Sequence, residues 1–132
     1  MGDRRKILVI DDDADFLASV TTVLEAAKYE VATARSAKEG LEALKGSRPD
    51  LIILDVMMEH EWAGYELNQA VKFGADESMS TIPILMVSSI QTDPATLFYR
   101  ATEAGMVTPD SYLTKPLDIP VFLARVKSFV GE

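Results

Sequence analysis

Leu51-Ile52-Ile53-Leu54-Asp55 is the stretch whose reading decides the fold. Four successive apolar residues ahead of a carboxylate read as a strand buried on both faces, with the charge at its carboxyl end. Open α/β sheets keep their ligand sites at that end. Ile7-Leu8-Val9-Ile10 is a second run of the same kind, stopped by Asp11 and Asp12. If the two strands are neighbours, Asp11, Asp12 and Asp55 converge on one small volume. Like charges gathered that tightly cost stability unless a cation holds them, so the arrangement asks for a metal ion.

Outward from these two strands the hydrophobic period alternates. Lys6 to Ile10 is a strand; from about Ala14 to Lys28, Phe16, Val20, Val23, Leu24 and Ala27 fall on one helical stripe, with Asp13 or a neighbouring acid able to cap its start. Glu30 to Ala34 is a weaker strand pattern, suited to a sheet edge. Ser36-Ala37-Lys38-Glu39 reads as a capping box for a helix carried by Leu41 and Leu44 and closed by Gly46, and Pro49 keeps its neighbours extended. The organising strand, Asp50 to Leu54, leads to a loop, Val56 to Ala63, and a helix from about Gly64 to Phe73 with Leu67, Ala70 and Val71 inward. Ile82 to Val87 is another central strand. Thr92-Asp93-Pro94 starts a helix that reaches Ala104 and stops at Gly105, Tyr112 to Thr114 is a short last strand, and Asp118 caps a final helix with Val121, Phe122, Val126 and Phe129 or Val130 inward.

Five strands alternating with five helices give a doubly wound α/β domain, (βα)5, with a parallel sheet covered on both faces. The edge character of the second strand favours the order 2-1-3-4-5 and leaves other orders open. At 132 residues the chain is one domain, with 48% apolar and 26% charged residues. A net charge of -8 argues against direct nucleic-acid binding. The chain has no cysteine, which excludes disulfides, zinc thiolate sites and thiol nucleophiles. No apolar run approaches the ~20 residues that span a bilayer, so a cytoplasmic protein without membrane contact is the expectation.

Four features then call for one explanation. Asp11 and Asp12 follow the first strand, Asp55 the third, Ser88 and Ser89 the fourth, and Lys115-Pro116 the fifth. A hard, oxygen-seeking ion such as Mg²⁺ takes one or two carboxylates, keeps waters and leaves positions for phosphate oxygens. A lysine and a hydroxyl beside it would bind the remaining oxygens of a phosphoryl group. Charge neutralisation and alignment are most of what phosphoryl transfer requires, and an aspartate can be its nucleophile.

From Lys6 to about Val130 the chain resembles a receiver domain of a two-component response regulator. The resemblance is carried by Ile7-Leu8-Val9-Ile10-Asp11-Asp12-Asp13, Leu51-Ile52-Ile53-Leu54-Asp55-Val56-Met57-Met58, Ile82-Pro83-Ile84-Leu85-Met86-Val87-Ser88-Ser89 and Tyr112-Leu113-Thr114-Lys115-Pro116-Leu117. It implies a flavodoxin-like receiver fold spanning residues 1–132 as a single domain, with no output domain in the chain. It also implies that Asp55 accepts a phosphoryl group from a histidine kinase or histidine phosphotransfer protein, and that Asp11, Asp12, Asp55 and the backbone carbonyl of Met57 hold Mg²⁺. Ser88 matches the hydroxyl that swings to the phosphoryl oxygen, Ser89 the small residue that leaves room for it, Lys115 the family's lysine, and Tyr112 the aromatic that turns inward in the active state. Pro116 would follow a cis peptide bond. The implied switch alters the face built from the fourth helix, fifth strand and fifth helix to control a downstream protein partner, as a monomer or a phosphorylation-dependent dimer. The protein would be a phosphoacceptor that takes part in its own phosphorylation and dephosphorylation, rather than an enzyme.

Two departures stand out. The family's usual Met-Pro-Gly-Met-Asp-Gly loop is replaced by Met58 and Glu59-His60-Glu61-Trp62-Ala63-Gly64, without the proline and one residue longer. Glu59 and Glu61 read as solvated surface charge, Trp62 as a contact surface or a cover for the third helix, and His60 lacks a second histidine or cysteine with which to share a metal. Before Tyr112, Gly105 to Ser111 is longer than the family spacing, either tailoring a partner or a neutral insertion. Asp11, Asp13 and Asp15 mimic a calcium loop, but Phe16 stands where glycine is needed and Thr22 where glutamate is needed. Other functions compatible with the fold class are an aspartate-nucleophile phosphatase of haloacid dehalogenase type, which leaves Asp55 without a task, and a flavodoxin-like electron carrier, whose phosphate the acids would repel. A degenerate receiver used for docking is the remaining alternative.

Overall fold

Each inner strand sorts its side chains alternately onto two faces, and both faces are apolar. The computed structural model describes residues 5–46, 48–55, 82–88, 111–114 and 117–131. These form β1 (Lys6–Ile10), α1 (Ala14–Ala26), β2 (Glu30–Ala34), α2 (Ala37–Gly46), β3 (Leu51–Asp55), β4 (Ile84–Ser88), β5 (Ser111–Thr114) and a C-terminal helix (Ile119–Val130). All four strand pairs are parallel, and the order is β2-β1-β3-β4-β5, with β2 at an edge as its weaker pattern suggests. The expected loop Val56 to Ala63, the helices from Gly64 and from Pro94, residues 105–110 and Lys115-Pro116 lie outside the described residues.

Leu8, Ile10, Ile52, Leu54, Ile84 and Met86 point to one side of the sheet, where Leu44 of α2 packs on them. Ile7, Val9, Leu51, Ile53, Leu85 and Val87 point to the other and meet α1 and the C-terminal helix. Each such buried aliphatic side chain contributes about 1.5–3 kcal/mol.

Local chemistry sets the element ends and corrects several expected boundaries. Asp13 is the N-cap of α1, accepting the Asp15 and Phe16 N–H groups. The helix stops at Ala26, short of Lys28. Lys28 takes a left-handed backbone (φ 77°), its N–H donates to the Glu25 carbonyl and the Tyr29 N–H to that of Leu24, which closes the helix in a Schellman turn. The buried stripe of α1 is Leu17, Val20 and Leu24, whereas Phe16 and Val23 are only partly covered.

At α2 the Ser36 hydroxyl accepts the Glu39 N–H, and the Glu39 carboxylate accepts the N–H of Arg35 rather than that of Ser36, one residue outside the standard box. β3 runs from Leu51 to Asp55 instead of Asp50 to Leu54, because Asp55 stays in the ladder opposite Val87. β4 begins at Ile84, not Ile82: Pro83 has no N–H to give, although its carbonyl still accepts the Ile52 N–H at 3.0 Å. β5 begins one residue early, at Ser111. On the C-terminal helix, capped by Asp118, the inward stripe is Phe122, Val126 and Val130; Val121, expected inward, is 47% exposed because it sits about 100° round the helix from Phe122. Among the described residues no helix is long and apolar enough to cross a membrane.

Candidate functional site

The register between β1 and β3 assembles the site. Ile10 pairs with Leu54, so the next step along both strands sets Asp11 opposite Asp55. Alternation then carries Asp11 onto the side of Ile7 and Val9, and Asp55 onto the side of Leu51 and Ile53, which is one and the same face. Both acids are buried, Asp11 to 1% and Asp55 to 8% exposure, while Asp12 is exposed. One carboxylate oxygen from each of the three lies within 4.8 Å of the others.

Two backbone hydrogen bonds hold Asp11 in place. Its N–H donates to the Ala34 carbonyl of β2 at 3.0 Å, and its carboxylate accepts the Asp13 N–H at 2.9 Å. The second is an Asx turn, in which an aspartate side chain takes the N–H two residues on. Asp13 thus serves two ends at once: its side chain caps α1 and its N–H orients Asp11. The run Asp11-Asp12-Asp13 signalled the cap, but the backbone hydrogen bond shows only in the folded chain.

Unit charges at that spacing repel by roughly 1 kcal/mol per pair at the dielectric constant of water and roughly 3 at an effective value of about 20. All the donors in the cluster are carboxylate oxygens, the set that suits a hard divalent cation rather than zinc or copper. Asp11, Asp12 and Asp55 therefore fit a Mg²⁺-type ion, with Asp12 and open solvent on the accessible side.

The expected site residues on the other strands are described in part. The backbone of Ser88 ends β4, one residue past Val87, which pairs with Asp55. Ser88 in turn pairs with Thr114, and Tyr112 pairs with Met86. Lys115 follows Thr114 in the sequence; Lys115, Ser89 and Met57 lie outside the described residues.

Comparison with known proteins agrees with this geometry. The polar-differentiation response regulator DivK of Brucella ovis is 26% identical over 130 residues, covering 97% of this chain and 98% of the relative. Among solved structures, the signal receiver domain of a signal transduction histidine kinase from Syntrophus aciditrophicus superposes with a TM-score of 0.80 at 30% identity, over 96% of this chain and 90% of that one. The chemotaxis protein CheY4 of Vibrio cholerae superposes with a TM-score of 0.79 at 29% identity, over 96% and 99% of the two chains. The family model for the response regulator receiver domain matches residues 7–127, and the chain belongs to that family.

Proposed function

We propose that residues 1–132 form a single receiver domain acting as a phosphoacceptor switch, in which Asp55 takes a phosphoryl group from a histidine kinase or histidine phosphotransfer protein. The observation that carries this reading is the meeting of Asp55 with Asp11 and Asp12 within 4.8 Å at the carboxyl rim. As the P–N bond of a phosphohistidine donor breaks, a P–O bond forms to the Asp55 carboxylate and the donor imidazole leaves. Asp11, Asp12, Asp55 and the Met57 carbonyl would hold Mg²⁺, which supplies positive charge against the phosphoryl oxygens. Burial of Asp55 limits the approach of water and of other nucleophiles. Lys115 and the Ser88 hydroxyl would bind the phosphoryl oxygens, with Ser89 leaving room beside them.

Phosphorylation replaces the single charge of the Asp55 carboxylate with a phosphoryl group carrying roughly two negative charges and three strong acceptors beside these groups. A shift of Ser88 and its loop towards them frees space for Tyr112 and alters the face of the fourth helix, β5 and the C-terminal helix, through which a downstream protein is controlled.

The test is exposure to acetyl phosphate and Mg²⁺, followed by intact mass and oligomeric state. The expected result is a gain of one phosphoryl group, lost in Asp55→Asn; full labelling of that variant removes Asp55 from its role. Steady turnover of phosphate esters without one-to-one labelling would favour the phosphatase alternative, and no labelling at all a docking-only receiver.

A further inference from the structure

Gly40, buried in α2, lies directly over the last residue of β1. A Cβ at this position would stand 2.5 Å from Ile10 Cδ1, 3.2 Å from its Cγ1 and 3.5 Å from its Cγ2. The first distance is impossible for packed carbon atoms and the second is tight. Turning the δ-methyl about χ2 relieves only the first contact; Cγ1, at 3.2 Å, is held by the stiff χ1 of a β-branched residue that is 0% exposed, and it stays tight against the added carbon. A side chain at Gly40 would therefore push on the body of Ile10 and, through it, separate β1 and α2 by a few tenths of an ångström.

Two relaxations are open, and both end at Asp11. If β1 yields, Ile10 carries the next residue with it. If α2 retreats, its first turn moves as a unit, because the Gly40 N–H donates to the Ser36 carbonyl at 2.9 Å. Only Arg35 separates Ser36 from Ala34, whose carbonyl accepts the Asp11 N–H at 3.0 Å. Either route displaces one of the acids that lie within 4.8 Å of each other.

We infer that Gly40 is a positioning residue for the acidic cluster: the missing side chain sets where β1 ends, and so where the Asp11 carboxylate meets Asp12 and Asp55. The inference rests on the reading that these acids hold a divalent ion. Gly46 supplies an internal control, since in the same helix a Cβ there meets nothing within 4 Å.

Isothermal titration with Mg²⁺, with far-UV circular dichroism to check the fold, tests it. Gly40→Ala is expected to weaken Mg²⁺ binding about ten-fold or more, the range typical of residues that orient metal ligands. Gly46→Ala leaves the affinity unchanged. Adding Ile10→Val, which deletes the atom at 2.5 Å, recovers most of the affinity in the Gly40→Ala background. Wild-type affinity in Gly40→Ala, or a double variant as weak as the single one, overturns the inference. If Gly40→Ala loses its helical signal, the double variant decides alone: folded with near wild-type affinity supports the inference, and unfolded or weakly binding overturns it. A wild-type protein that takes up no Mg²⁺ is a different failure, that of the ion-binding reading itself.

Discussion

Asp50 and Asp55 flank the same four apolar residues, Leu51 to Leu54, and stand at opposite rims of the sheet. At the amino rim the Asp50 carboxylate accepts the Lys6 N–H at 2.8 Å, while the Asp50 N–H donates to the Lys6 carbonyl at 2.7 Å. One residue thereby clamps the start of β3 to the start of β1. At the carboxyl rim Asp55 meets two more carboxylates within 4.8 Å. An acid whose lone pairs go to backbone N–H groups lowers the energy of the fold, whereas acids gathered against one another raise it and are relieved by a cation. The same side chain at the two ends of one apolar run thus does structural work at one end and, under the function proposed above, chemistry at the other.

Labelling separates the rims most sharply. Asp50→Asn keeps an oxygen for the Lys6 N–H and should take up phosphoryl from acetyl phosphate as the wild type does, where Asp55→Asn takes up none. Equal loss in both variants would mean that the contrast reflects the fold as a whole.

Metal-linked stability is the next largest effect. A ligand that binds only the folded state at about a hundred times its dissociation constant adds about 2.7 kcal/mol. Mg²⁺ should confer that increment, read by urea melts with and without the ion, on the wild type and on Asp50→Ala, and should confer almost none on Asp12→Ala. Without Mg²⁺, Asp12→Ala should be at least as stable as the wild type because one repelling charge is gone. A Mg²⁺ increment that survives in Asp12→Ala would take Asp12 out of the ion site.

Asp50→Ala acts in the opposite sense. It strips the Lys6 N–H, in a partly buried position, of a charged acceptor, and the expected cost is roughly 1–2 kcal/mol at any Mg²⁺ concentration. A loss that appeared only with Mg²⁺ present would connect the two rims.

The carboxyl rim was the more legible of the two in the sequence. Strands buried on both faces appear as unbroken apolar runs, so a charge that ends one announces its rim, and Asp11, Asp12 and Asp55 come together once the first and third strands are neighbours, an order that the edge character of the second strand favours and the family resemblance supports. The amino rim is written in backbone geometry. Nothing in the side chain of Asp50 distinguishes a strand residue from a clamp, and the boundary of β3 was misplaced by one residue for that reason. Val121 was read as inward because one more apolar residue widens a helical stripe, and only the packing of the C-terminal helix against the sheet decides which edge of the stripe is covered. Gly40 reads in sequence only as a weak helix residue; its closeness to Ile10 exists once α2 lies on β1.

Lys28 is the smallest of the amino-rim devices and the last test of the contrast. It occupies the left-handed position of the turn from α1 into β2, at φ 77°, where glycine is the usual occupant and where its absence hid the end of the helix. A residue with a Cβ pays roughly 1–2 kcal/mol to sit there, while glycine gives back roughly 0.5–1 through the greater freedom of its unfolded chain. The difference predicts that Lys28→Gly stabilises the protein by roughly 0.5–1 kcal/mol, visible as a higher urea midpoint with an unchanged slope. The Lys28 N–H and Tyr29 N–H would keep their carbonyl partners on Glu25 and Leu24, so Tyr29 stays buried and β2 stays in register. Because this turn lies at the rim away from the acids, Mg²⁺ affinity and phosphoryl uptake should not change. A destabilised Lys28→Gly variant would show that the lysine side chain contributes more at this turn than its backbone strain removes.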